Sequence, residues 1–296
     1  MQVRSTSTEP SVLSIETALS FLQRNGFLVF KWTVYSLLLV NVVYYAHEDW
    51  TVAQHTLTDD ASFLKILSAY AASLDVFAWM MLIFIYEVET YWLEDDFDNN
   101  IVLGAMTLGK LLFAGLIIQT IYSYSVIVLQ IPGTAMIEGA HDICALAGQD
   151  LSFVRNLKYT EITPETCGSI AYAGDLYLFS NYPIVTDLAG FRENSFLEIF
   201  DLVEAVTWLI ILALTELSVR LQSKGHYKGA VVMWDFRLRV IGYLILLLVS
   251  IYWGVKGHFV YVWDELLWIT SFIALENNLN EWRQELREAD ETAAAD

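Results

Sequence analysis

Apolar residues along the chain fall into six long blocks, near residues 27–46, 66–86, 101–130, 199–217, 231–254 and 258–276. A helix needs about 20 residues to cross roughly 30 Å of hydrocarbon. The blocks therefore predict an all-α polytopic membrane protein with six transmembrane helices. The third block exceeds what a bilayer needs and is expected to tilt or project beyond it. The sixth carries Asp264 and Glu265 inside it and follows the fifth through Gly254 and Gly257. Before the first block, Val12, Ile15, Leu19 and Leu22 recur at helical spacing, which predicts an amphipathic segment on the inner surface within residues 1–26. Residues 131–198 are long and polar and contain Pro164 and Pro183, so they are expected to fold as a cap over the bundle. After residue 276, Leu279, Trp282, Leu286 and Ala289 share a helical face, predicting an acidic helical tail over 277–296.

A repeat runs through the even-numbered spans. Asp75, Trp79 and Glu87 stand at the same spacing as Glu204, Trp208 and Glu216, and as Asp264, Trp268 and Glu276. The first and fifth spans also match, Lys31 with Arg239, Tyr35 with Tyr243 and Tyr44 with Tyr252. The third fits more loosely, with Lys110 in the basic position and Tyr122 or Tyr124 in the aromatic one. Three helical hairpins in a pseudo-threefold bundle are the natural packing. At 1.5 Å per residue, each upper acid stands about 18 Å from its lower Glu, well inside the bilayer. Depth alone puts Tyr44, Tyr122 and Tyr252 near Asp75, Glu204 and Asp264, as hydrogen-bond donors to them. It also puts Lys31, Lys110 and Arg239 near Glu87, Glu216 and Glu276, an expected inner ion-pair layer.

Composition sharpens this picture. Charged residues make up 17% of the chain and apolar ones 56%, against about 25% and 45–50% in soluble domains. The net charge of −19 excludes a nucleic-acid partner, which needs a basic footprint. Eleven of the 16 Lys and Arg residues fall on one side of the predicted topology and five on the other. The positive-inside bias then places both termini in the cytoplasm, in a plasma or bacterial inner membrane. Cys144 and Cys167 both lie in the cap, outside, where an oxidising compartment lets them form a disulfide.

Candidate chemistry is confined to the intramembrane acids. Burying a charge at the bilayer centre costs about 2.5 kcal/mol or more, so such residues are either paired as helix glue or functional. The leading expectation is a cation or proton channel or transporter, with Asp75, Glu204 and Asp264 handling the ion. The alternative is a non-catalytic structural subunit of a larger membrane complex. A homo-oligomer or a membrane partner fits either. No catalytic motif, cofactor or metal is expected. The sequence has no phosphate-binding Gly-rich loop, H-E-x-x-H or G-x-S-x-G. Asp96, Asp98 and Asn100 start like a calcium loop, but Ile101 stands where Gly is required. His47, His55, Asp59 and Asp60 lack strong zinc-ligand spacing.

Overall fold

The computed structural model describes residues 11–88, 100–138, 142–223 and 229–273. The chain is mostly helical, with one small sheet that the all-α expectation missed. Helix α1 spans Ser11–Thr56, α2 Phe63–Ala69, α3 Ala71–Glu87 and α4 Asn100–Gln130. Five short strands follow. Then come α5 (Leu188–Ser223), α6 (Ala230–Val255) and the helical residues 259–273, here α7.

Three helical stretches are long and apolar enough to cross a membrane: Val29–Thr56, Asn100–Gly133 and Ala230–Val255. The pair α2–α3 makes a fourth if its two parts form one span, bent by 75° at Tyr70. The expected second span, 66–86, is thus broken into two helices. Helix α5 carries Glu193, Glu198, Asp201 and Glu204 in its first half, and α7 is described over fifteen residues. The surface of the spanning helices fits a lipid environment. On α4, Ile101, Leu108, Leu111 and Leu129 point outward and are exposed, while Ile117, Thr120 and Ser123 form a single buried stripe.

Helix boundaries also differ from expectation. Helix α1 continues ten residues past the predicted end of its span, so His47 to His55 lie on helix. Residues 11–22 are helical but continuous with α1; the amphipathic face predicted for Val12, Ile15, Leu19 and Leu22 lies outside the described side chains. Helix α5 starts eleven residues before its predicted span, because its first turns belong to the cap. The tail over 277–296, Asp96, Asp98 and His141 are outside the described residues.

The cap is a five-stranded sheet in the order β1-β4-β5-β2-β3, with strands Ala135–Met136, Ser152–Arg155, Lys158–Glu161, Leu176–Leu178 and Ile184–Asp187 numbered along the chain. Only the β2–β5 pairing is parallel. The Cys144–Cys167 disulfide joins two short 3-10 turns beneath it and packs with Ile143, Phe153, Ile162, Leu176 and Val185. Asp187 ends β5 and stands just before α5. Its fully buried carboxylate accepts from the amides of Gly190 (2.8 Å) and Ala173 (3.0 Å) and from Arg155 (3.1 Å). The Gly190 bond is a helix N-cap, so one side chain fixes the sheet to the bundle.

The β2–β3 hairpin turns through Asn156 and Leu157, both with positive φ (49° and 59°). A two-residue turn of this kind requires that conformation, which is costly for leucine. Docking offsets the cost. Leu157 packs against the Leu197, Val249 and Trp253 cluster, and the Asn156 amide donates to the Lys256 carbonyl at 3.0 Å. Beside it, Lys256 pairs with Glu193 at 2.5 Å, which holds the ammonium pKa above its ordinary value. The hairpin thus locks the cap onto the α6–α7 turn.

Candidate functional site

The bundle core is apolar at its lower level, around Leu38, Ile211 and Leu246, each with no exposed surface. Gly242 lets α6 approach α5 there; a Cβ at that position would meet Ile211 at 3.0 Å. Above this level the three tryptophans of the sequence repeat come together. Trp268 lies 6.3 Å from Trp79 and 6.5 Å from Trp208, centroid to centroid, and Phe272 packs at a tilt on Trp208 at 4.9 Å. These rings form the floor of a chamber of about 260 Å³ that reaches up to the underside of the cap.

The walls are acidic. Glu48 and Asp49 enter from α1, Asp75 from α3, Glu198, Asp201 and Glu204 from α5, and Asp264 and Glu265 from α7. Lys65 is the one basic residue among the described lining residues. Helical spacing produces this wall on α5. Asn194, Glu198, Asp201, Glu204 and Trp208 recur every three or four residues and so face one side. From Asn194 to Trp208 that face runs about 21 Å along the helix axis. The chamber is therefore elongated along the bundle axis.

Several of these acids have protein donors. Asp264 accepts from Asn41 at 2.5 Å and from Tyr45 at 3.2 Å. Glu48 accepts from the Tyr261 hydroxyl at 2.7 Å, and Asp49 from the Ser73 amide at 2.8 Å. Glu265 accepts from the Trp208 indole at 3.3 Å through Oε2. Others are incompletely satisfied. Among the described residues, Asp75 Oδ1, Gln130 Oε1, Glu265 Oε1 and both polar atoms of Asn194 are buried and have no hydrogen-bond partner, and all line this chamber. Glu204, on α5, and Glu265, on α7, both line it.

The structure brings Asp75, Glu204 and Asp264 into one chamber, but their aromatic partners differ from those expected. Tyr44 and Tyr122 are 39% and 51% exposed and point out of the bundle. Tyr252 packs on Phe200 with Lys256 over its ring. The chamber instead receives Tyr45 and Tyr261, with Tyr124, the alternative to Tyr122 on the third span. Axial counting fixes height but not direction, and one residue turns a helix by about 100°. Tyr45 is thus at the right depth and on the right face, whereas Tyr44 is not. The acids Glu48, Asp49, Glu198, Asp201 and Glu265 were missed as site residues. Helical spacing carried the signal: Glu48 and Asp49 follow Tyr45 by three and four residues, Glu198, Asp201 and Glu204 recur every three, and Glu265 follows Tyr261 by four.

At the inner level the pairs shown are local. Arg239 pairs with Asp235 at 2.8 Å, both buried, and Arg220 with Glu216 at 2.8 Å on the surface. Lys110 sits over the Tyr86 ring at 4.6 Å. Lys31 is half-buried; the side chain of Glu87 and the whole of Glu276 lie outside the described residues. At the chamber mouth, His55 contacts Ser152 at 2.9 Å and stacks on Tyr159. Among the described residues no three His, Cys, Asp or Glu side chains are grouped to hold a metal ion.

No family model, curated protein or solved structure matches the chain.

Proposed function

We propose that this chain is an integral membrane transporter or channel for cations or protons, and that the acidic chamber is its ion-handling site. The observation that carries the reading is the convergence of Asp75, Glu204 and Asp264, from three different helices, on one chamber, where Asp75 Oδ1 and Glu265 Oε1 have no protein donor. Carboxylates that serve only as interhelical glue would have their lone pairs filled by neighbouring donors. Buried acids at membrane depth that the protein does not fully partner are the usual signature of an ion or proton path. In this reading six helical segments cross the membrane, with α2–α3 as one bent span and α5 and α7 lining the site. The three acid-bearing hairpins form a pseudo-threefold bundle, the disulfide-bonded cap lies outside, and both termini are cytoplasmic. The surplus of acids over Lys65 raises the local cation concentration at the site.

The Trp79, Trp208, Trp268 and Phe272 floor implies a gated path rather than an open pore. Passage requires that these rings move, so flux at the rate of a carrier or gated channel is expected. The test is flux of protons, Na⁺ and K⁺ into liposomes holding purified protein, under imposed pH and voltage gradients. The combined variant Asp75→Asn, Glu204→Gln and Asp264→Asn is run beside the wild type, with its fold checked by size-exclusion profile and tryptophan fluorescence. A loss of at least tenfold supports the reading. No flux from well-folded wild type overturns it and leaves the structural-subunit alternative.

A further inference from the structure

We propose that the chamber binds a linear organic polyammonium ion, a short alkyl chain carrying two or three amines, in preference to a bare metal ion. The inference deepens the reading above, because it names the cation for the same site. It rests on what the chamber lacks as much as on its charge. The residues that line it carry four buried acceptors without partners, Asp75 Oδ1, Gln130 Oε1, Asn194 Oδ1 and Glu265 Oε1, against one such donor, Asn194 Nδ2. Glu265 and Asn194 are only 3% and 5% exposed, so the protein has buried polar atoms there with nothing of its own to satisfy them. A ligand that complements this set is rich in N–H donors and has few acceptors. An ammonium group supplies three donors and no acceptor.

The distribution of charge argues for an extended cation. A divalent metal requires several oxygen ligands converging on one point at about 2.0–2.6 Å. Here the carboxylates are strung out along the bundle, and no group of three among the described residues is placed to hold a metal. On α5 alone the polar lining from Asn194 to Glu204 covers about 15 Å. Charges separated along an alkyl chain match that layout. Aromatic rings lie between the acids. Tyr45 stacks on Tyr261 at 5.7 Å, and Trp253 meets Tyr261 edge-on at 4.8 Å. Such surfaces favour methylene groups and ammonium heads by apolar contact and cation–π attraction. The chamber volume of about 260 Å³ falls near the lower end of small-ligand pockets, so the ligand must be slender.

The test uses full-length protein in nanodiscs and follows tryptophan fluorescence, since Trp79, Trp208, Trp253 and Trp268 all border the chamber. Putrescine and spermidine are titrated against NaCl, KCl and MgCl₂ at matched ionic strength. A saturable change with the amines is expected, which the salts do not reproduce. Glu265→Gln and Asp201→Asn should each weaken it at least tenfold, while Glu216→Gln, an exposed residue remote from the chamber, should leave it unchanged. Asn194→Ala serves where an acid variant fails to fold, and should weaken binding several-fold. A response that the salts reproduce, or one equally sensitive to Glu216→Gln, overturns the inference. Ion flux without amine binding would reject the polyamine and leave the transport reading standing. Amine binding without flux of ion or amine would do the reverse.

Discussion

Removing the cap disulfide gives a prediction whose size follows from the chain. Cys144 and Cys167 are 23 residues apart in sequence. Closing a loop of that length in the unfolded cap costs entropy that the bond removes, about 3.4 kcal/mol at 25 °C on the chain-entropy relation. The cap needs that contribution. Its core is a handful of buried side chains, among them Ile143, Phe153, Ile162, Leu176 and Val185, and domains this small often depend on cross-links. The perturbation is Cys144→Ala with Cys167→Ala. The assay is amide hydrogen exchange by mass spectrometry on peptides covering β2 and β5, whose central residues Phe153, Val154 and Val185 are buried. If the cap opens as a unit, 3.4 kcal/mol lowers protection there by about 300-fold, at about 1.4 kcal/mol per decade. Amides of the α4 core stripe, Ile117 and Thr120, should change little. A loss of protection below tenfold in β2 and β5 would refute the reasoning, and would mean that the docking of Leu157 and the Asp187 cap hold the sheet without the cross-link.

Two further outcomes follow from packing and solvent access. Gly242→Val places branched carbons against Ile211, which is fully buried and cannot withdraw; a loss of about 1–3 kcal/mol is expected, read as lower thermal stability in detergent, with Gly242→Ala milder. Both native cysteines are in the disulfide, so introduced thiols can be read without background. Ala205→Cys, on the chamber wall, should react with a membrane-impermeant thiol reagent, whereas Leu112→Cys, on the outward apolar face of α4, should not. Equal protection at both positions would mean that the chamber is dry.

Much of the helical framework was legible because hydrophobic blocks of bilayer length are a strong signal. Helix α4 begins at Asn100 and α6 at Ala230, each within one residue of expectation. The acid-x3-Trp repeat pointed to residues that do meet, as the Trp79, Trp208 and Trp268 contacts show. The sheet was not legible. Its strands are two to four residues long and depend on β2 pairing with β5 across about thirty residues, a non-local contact with no local pattern. Nor was the break at Tyr70 legible, since no Pro or Gly marks it. The tyrosine partners were misplaced for a geometric reason. Height came from counting residues, while the facing direction depends on rotation that only packing sets.

The three repeat acids look equivalent in sequence and are not equivalent in structure, and the difference bears on function. Asp264 is held on both oxygens, by Asn41 and Tyr45, and is only 7% exposed. That is how a carboxylate buried for structural reasons is satisfied, and Asp187 in the cap is treated the same way, with three donors. Asp75 and Glu265 each keep one buried oxygen without a protein donor. An unsatisfied buried acceptor costs about 1–3 kcal/mol, more when charged. A chain that can supply Asn41 and Tyr45 to one acid could supply such donors to its neighbours. Helix association alone would favour doing so, because every satisfied acid packs the bundle more tightly. In the proposed reading, the donor that Asp75 and Glu265 lack within the protein is a proton or an ammonium group. Asp264 anchors α7 to α1 through Asn41 and Tyr45, and in the proposed reading the exchangeable cation is held beside Asp75 and Glu265. Asp264→Asn should then chiefly lower stability, while Glu265→Gln should chiefly lower cation affinity.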